Sequence, residues 1–240
     1  MTKVNSMLLG DGFKLMEQLP DESADMIISD LTSKVLFSTP VPGFSVEKLW
    51  NTYERVISRK GAVVLIATQP LTSLLVQCRP LLFKYEWIWY GDHRHGLLRY
   101  QDKPPQRHAT VLVFSRGDAE RYDTSLNTCM TYHPQYRAGE PVNEGEYAFV
   151  ANMRRSPDSM LYFPAEEGNA VTETPASLYE FLIRSYSNPS ELVMDACGDK
   201  GGTALACINT GRKYIVFEED TEAFNKAADR IGSRQLIPQS

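Results

Sequence analysis

Three acids carry the chemistry that this sequence could perform. Asp30 closes the apolar run Ala24-Asp25-Met26-Ile27-Ile28-Ser29, and Asp195 closes Leu192-Val193-Met194. After Asp195 comes Ala196-Cys197-Gly198-Asp199-Lys200-Gly201-Gly202-Thr203, which leads into helical spacing. A strand, a glycine-containing turn and a helix N-terminus make the nucleotide-type cradle of open α/β sheets. Glu218 ends the next apolar run about 20 residues on, where such folds place an acid on ribose hydroxyls. A plain β-α-β crossover with a glycine turn has the same spacing, so spacing alone leaves both readings standing.

A second group is basic. Gly91 to His108 reads as a long polar loop with Arg94, Arg99, Lys103 and Arg107, and Tyr100 among them. Cations of this kind contact phosphates, and an aromatic ring can stack on a base. A solvated surface loop is the plainer alternative, since Asp92 and Asp102 dilute the charge. His93, His95 and His108 fall here too, but no nearby acid or cysteine has ligand-like spacing, so no metal site is expected. Arg154-Arg155 is a further basic pair, of a kind more often solvated than bound.

The elements that would position these residues follow from periodicity. Met7-Leu8-Leu9 is a short strand, and Asp11 is a helix N-cap for residues 12–19. Residues 24–30 form a buried strand. Residues 44–59 show helical spacing through Val46, Leu49, Trp50, Tyr53 and Val56, with Gly61 as the expected stop. Strands are expected at 62–67, 85–90, 109–114, 192–195 and 214–218. Helices are expected at 71–82, 178–186, 202–210 and 221–231. Apolar strands alternating with helices predict an α/β fold: a mostly parallel central sheet with helices on both faces. Residues 118–169, rich in Tyr, Pro, Gly and Asn, read as an irregular inserted specificity-type region or small subdomain. The core is then 1–117 and 170–240.

With 42% hydrophobic and 23% charged residues, the 240-residue chain reads as a soluble globular protein and not as a disordered one. No apolar run is long enough to span a membrane, and the first residues lack the apolar core of a signal peptide, which implies the cytoplasm. The cysteines Cys78, Cys129, Cys197 and Cys207 form no CxxC pair, so reduced thiols are expected. The net charge of −5 gives no compositional case for nucleic-acid binding, although a local basic patch would suffice.

The segments Gly10-Asp11, Leu19 to Asp30, Glu180 to Asn188 and Leu192 to Asp195, continuing to Cys207-Ile208-Asn209-Thr210-Gly211-Arg212, resemble the permuted (β-class) amino-group DNA methyltransferases. These act on adenine N6 or cytosine N4. The resemblance runs from about residue 8 to about residue 231 and is weakest across 118–169. It implies a Rossmann-like methyltransferase fold with the catalytic loop ahead of the methyl-donor site. It also implies S-adenosylmethionine as donor, held by Asp195, Gly201, Thr203 and Glu218, and Asp30 as the acid that orients the target amine.

Three segments depart from the family pattern. Its Asp-Pro-Pro-Tyr loop is here Asp30-Leu31-Thr32-Ser33, so Thr32 and Ser33 replace the proline and the stacking aromatic. Its Gly-Ser-Gly-Thr-Thr donor turn is here Asp199-Lys200-Gly201-Gly202-Thr203. Its His-Pro-Thr-Gln-Lys-Pro is here Ala170-Val171-Thr172-Glu173-Thr174-Pro175. The surrounding apolar elements are intact. This pattern implies a pseudo-methyltransferase, a scaffold kept for its shape that binds DNA or a protein partner. Such a partner could be an active methyltransferase, a restriction or replication component, or a second copy forming a dimer. The alternative is a divergent active enzyme that uses S-adenosylmethionine.

Overall fold

The computed structural model describes residues 3–36, 39–40, 43–95, 106–117, 159–164 and 174–235. Its elements in chain order are β1 (Ser6–Leu9), α1 (Gly12–Met16), β2 (Ala24–Asp30), a 3-10 turn (Thr32–Lys34), β3 (Val35–Leu36), β4 (Thr39–Pro40), α2 (Val46–Val56), β5 (Ile57–Ala67) and α3 (Leu71–Cys78). Then follow β6 (Phe83–His95), β7 (Gln106–Ser115), β8 (Met160–Tyr162), α4 (Ala176–Tyr186), β9 (Leu192–Asp195), α5 (Gly202–Thr210), β10 (Lys213–Glu218) and α6 (Thr221–Gln235).

Eight strands form one sheet in the order β1-β10-β9-β2-β5-β7-β6-β8. The five from β1 to β5 are parallel neighbours; β7 is antiparallel to β5 and to β6, and β8 runs parallel to β6. The two-fold alternation of strand side chains divides the core into two layers. Ile27, Val63, Leu65, Phe114, Met194 and Phe217 face α1, α2 and α3, where Met16, Leu49, Trp50, Tyr53 and Leu75 complete the packing. Met26, Ile28, Val64, Val193 and Val216 face the other way, onto α4, α5 and α6 through Leu178, Leu182, Ala204 and Ile231. Burying a side chain of this size contributes about 1.5–3 kcal/mol. The expected fold class is therefore the observed one.

Several expected boundaries move. The helix expected over 44–59 is capped by Ser45, whose Oγ accepts from Lys48 N at 3.2 Å, and it ends at Val56. Ile57 is already extended, with ψ 134°, and pairs with Ala24. Gly61 consequently lies inside β5 and is no helix stop. An added Cβ there would sit 2.8 Å from Asp25 O, so the strand needs glycine for close approach. The helix over 71–82 stops at Cys78 because Arg79 precedes Pro80 and adopts φ −137°, ψ 61°. The loop expected over 91–108 is shorter at both ends: β6 continues to His95, which pairs with Gln106 at the start of β7. Within the stretch read as an insertion, Met160–Tyr162 pairs with Ile88, Trp89 and Tyr90. Residues 118–158 and 165–173 lie outside the described residues.

Candidate active site

β2 and β9 are parallel neighbours, and from this seam the chain winds outward in opposite directions, through β5 on one side and β10 on the other. In open α/β sheets the crevice beyond the carboxyl ends at such a reversal is where ligands bind. Asp30 and Asp195 end these two strands, and Glu218 ends β10.

Asp195 is turned inward. Only 1% of it is exposed, and its oxygens accept from Ser29 Oγ (2.9 Å), Cys197 N (2.9 Å) and Thr203 Oγ1 (2.6 Å). Ser29 Oγ lies 2.8 Å from Tyr53 Oη, so the network reaches α2. Burial raises the Asp195 carboxyl to about 6, against the pull of these hydrogen bonds, with the nearby Asp30 charge adding to the rise. Burial also drives the Tyr53 hydroxyl well above its ordinary range, so Tyr53 stays protonated as a donor. Asp195 and Thr203 thus fasten the first and last parts of the turn. Ser29 and Tyr53 belong to this network, and no sequence motif announces them.

The turn itself is tight. Gly198 N donates to Phe217 O at 2.7 Å and Gly201 N to Gly198 O at 2.8 Å. Gly201 takes φ +78°, and a Cβ on it would meet Ala227 at 2.9 Å. Asp199 also has a positive φ, +42°. Aspartate is among the few residues that accept this region without a glycine, so the turn keeps its path although the expected glycine is gone. Partial loss of water raises the Asp199 carboxyl; Lys200 opposes the rise, and the Glu218 and Asp30 charges add to it. Asp30, Asp199 and Glu218 thus lie close enough at these strand ends to act on one another.

Glu218 receives Asp199 N on one oxygen and Asp220 N on the other, each at 2.7 Å. A carboxylate offers about four acceptor positions, so two remain for a diol. Gly10 N donates to Glu218 O at 2.8 Å. Gly12 packs so closely on the loop after β9 that a Cβ would come within 2.3 Å of Ala196 O. Asp11 caps α1 beside it, accepting from Phe13 N and Lys14 N.

Asp30 has a different environment. Its Oδ1 accepts from Thr32 N (2.9 Å) and Thr32 Oγ1 (2.6 Å), and its Oδ2 accepts from Thr174 Oγ1. Leu31 is fully buried and donates its N–H to Ile66 O at 2.7 Å, which fixes the backbone beside it. Ser33 is exposed on the 3-10 turn. Tyr179 lies nearby, its buried hydroxyl driven well above its ordinary range by burial and by the Asp30, Asp195 and Asp199 charges. The Tyr179 ring covers the start of α5, where a Cβ on Gly202 would meet it at 2.7 Å.

Of the four cations proposed from sequence, Arg107 is exposed on β7, and Arg94 lies on β6 with its side chain outside the described residues. Arg99 and Lys103 lie wholly outside them. Thr110 pairs with Ala67 at the end of β5, so the start of β7 and the end of β6 extend past the same sheet edge as Asp30. Among the described residues no group of His, Cys, Asp and Glu is arranged to hold a metal ion.

Comparison with known proteins adds to this geometry. A family model for N6 and N4 methyltransferases, described as DNA methylase, matches residues 45–229. The chain is similar to the DNA adenine methyltransferase YhdJ of Escherichia coli K12, with 22% identity covering 95% of this chain and 83% of that one. It is also similar to the type II methyltransferase M.HpaI of Haemophilus parainfluenzae, with 24% identity covering 95% and 74%. Among solved structures, the cytosine-N4-specific PvuII DNA methyltransferase superposes with a TM-score of 0.66 at 18% identity, covering 96% of this chain and 87% of that one. The M1.HpyAVI–SAM complex gives 0.60 at 19% identity, covering 94% and 98%.

Proposed function

The chain belongs to the DNA methylase family of N6 and N4 amino-group methyltransferases, and from that premise we propose that it is a non-catalytic member that works by binding. The observation that carries this reading is the state of Asp30. Three of the roughly four acceptor positions of its carboxylate are taken by the chain's own threonines, which leaves about one where an enzyme of this kind receives the target amine. Thr32 and Ser33 stand where the family has the proline that stiffens the loop and the ring that stacks on a flipped base. Losing such a ring costs about 1–3 kcal/mol per base, and small misplacement of a reacting group can cost about 100-fold in rate.

The donor side fits S-adenosylmethionine better than the base side fits a nucleobase. Glu218 keeps free acceptor positions for ribose hydroxyls, and the neighbouring acids suit a positively charged ligand. Gly201 and Thr203 would shape the cradle and Asp195 would hold it from beneath. S-adenosylmethionine, when bound, supplies an activated methyl group. Against a close fit, Asp199 adds a side chain where the family's turn carries none. Arg94, Arg99, Lys103 and Arg107 are the residues we assign to DNA contact. The alternative partners are an active methyltransferase, a restriction or replication component, or a second copy of the chain. Residues 118–169 are the region we assign to partner or sequence recognition.

The retained Glu218 cradle favours one second reading, that of a divergent active methyltransferase acting on adenine N6 or cytosine N4. Calorimetric titration with S-adenosylmethionine and S-adenosylhomocysteine, followed by radiolabelled methyl transfer to DNA of varied sequence, separates the two. The proposal expects no incorporation above background. Incorporation abolished by Asp30→Ala would establish the enzyme and overturn the proposal.

A further inference from the structure

We infer that Tyr53 and Ser29 are positioning residues for the methyl donor, acting through Asp195 by a hydrogen-bond bridge that passes through the sheet at the mouth of the crevice. The inference rests on the reading of these strand ends as a donor site, and it holds whether or not a methyl group is transferred.

The bridge begins where the backbone ladder stops. Among the described residues β2 and β9 pair through Met26 with Val193 and Ile27 with Met194, and no further. Ile28, Ser29 and Asp30 continue on β5, and Asp195 continues on β10. Beyond the last ladder pair the two strands are joined by a side-chain contact, Ser29 Oγ donating to Asp195 Oδ1 at 2.9 Å. This junction takes partners from both helical layers. Thr203, on α5, donates to Asp195 Oδ2 at 2.6 Å, and Tyr53, on α2, lies 2.8 Å from Ser29 Oγ. The two helices pack on opposite faces of the sheet, so the line Thr203, Asp195, Ser29, Tyr53 runs from one face to the other.

Counting hydrogens gives Tyr53 its task. Ser29 gives its single hydroxyl hydrogen to Asp195, so in the contact with Tyr53 the tyrosine must donate. Burial keeps that tyrosine protonated. Asp195 is already supplied by Ser29, Cys197 N and Thr203, so Tyr53 adds nothing to the carboxylate's own satisfaction. What it fixes is direction. A serine can take several staggered rotamers, and a donor aimed at its oxygen favours the one that sends its hydrogen across the seam. Asp195 then holds Cys197 N and Thr203, the two ends of the glycine turn, in one place relative to β2. Ser29 and Tyr53 are both fully buried, so each acts on a ligand through the turn and not by touching it.

Calorimetric titration of the full chain with S-adenosylmethionine and, separately, with S-adenosylhomocysteine tests this beside thermal midpoints. The proteins are the wild type, Tyr53→Phe, Ser29→Ala and Tyr186→Phe. Tyr186 is the matched control: its hydroxyl is also buried, and it bonds to Trp87 Nε1 and Tyr85 on β6, which lies beyond β5 and β7 from the seam. Tyr53→Phe should weaken both ligands about three- to tenfold, and Ser29→Ala about tenfold or more. Tyr186→Phe should lower the midpoint yet leave both affinities within about twofold of wild type. A hydroxyl that only stabilises the fold would move midpoints alone. Wild-type affinities in Tyr53→Phe and Ser29→Ala therefore overturn the inference, and so does an equal loss of affinity in Tyr186→Phe. Tyr53→Phe keeps the ring and its contact with Phe13, so it decides the matter if Ser29→Ala fails to fold. A wild type that binds neither ligand sinks the donor reading and the inference with it, whereas wild-type binding that the variants leave unchanged sinks the inference alone.

Discussion

Gly202 and Tyr179 fit each other: the ring occupies the space that a side chain at 202 would need. Gly202→Thr, which restores the residue type of the family's turn, is expected to destabilise the fold by about 1–3 kcal/mol through overpacking. Adding Tyr179→Leu should recover most of that loss, and a double-mutant cycle from denaturant midpoints checks it; additive losses would count against the pairing. Asp199→Gly removes a charge from the groove and gives the positive φ to a residue that accepts it freely. Stability should stay within about 1 kcal/mol of wild type, while titration should show tighter S-adenosylmethionine binding than in the wild type. Asp195 sets a pH dependence. Its carboxyl is raised from 3.8 to about 6, so between these values the folded state binds more protons than the unfolded one. Stability from this group therefore increases as pH falls from 7 towards 4, by about 3 kcal/mol at most. Asp195→Asn should flatten that trend, and thermal midpoints across pH 4–7 for the two proteins would reveal it; parallel curves would exclude it.

At the scale of elements, what the sequence made legible was whatever periodicity and strand-closing acids encode. β2 was expected over residues 24–30 and is found there, and Asp30, Asp195 and Glu218 were expected at strand ends and are found there. The misreading of Gly61 shows where such reasoning stops. A glycine after a helical run looks like a helix stop, but here the crowding that demands it comes from Ile57 and from Asp25 on the neighbouring strand. Gly61→Ala is accordingly expected to cost about 1–3 kcal/mol, because a backbone oxygen cannot step aside; a midpoint unchanged from wild type would argue for a relaxed strand. The Ser29–Asp195–Tyr53 network and the Thr174–Asp30 bond were illegible for a related reason. They join hydroxyls far apart in the chain, and a hydroxyl carries no periodicity that marks it as a partner.

For the whole molecule, the DNA reading gives a prediction about ionic strength. With a net charge of −5, any attraction to a duplex would have to be local, resting on cations such as the exposed Arg107. If Arg107 neutralises one phosphate, Arg107→Ala should lower the slope of log affinity against log salt by about 1 for a generic duplex. A slope equal to that of wild type would remove Arg107 from the interface. The sheet order has a separate consequence, for synthesis. Among the described residues, Ser6–Leu9 pair only with Ile215–Glu218, and Met26 and Ile27 reach across the seam only to Val193 and Met194. While the ribosome is still making the middle of the protein, β1 lacks its described partner β10, and β2 lacks β9 on one flank. Assembly of the crevice must wait until β9 and β10 have emerged, long after β1 and β2, and long-range closure of this kind is slow.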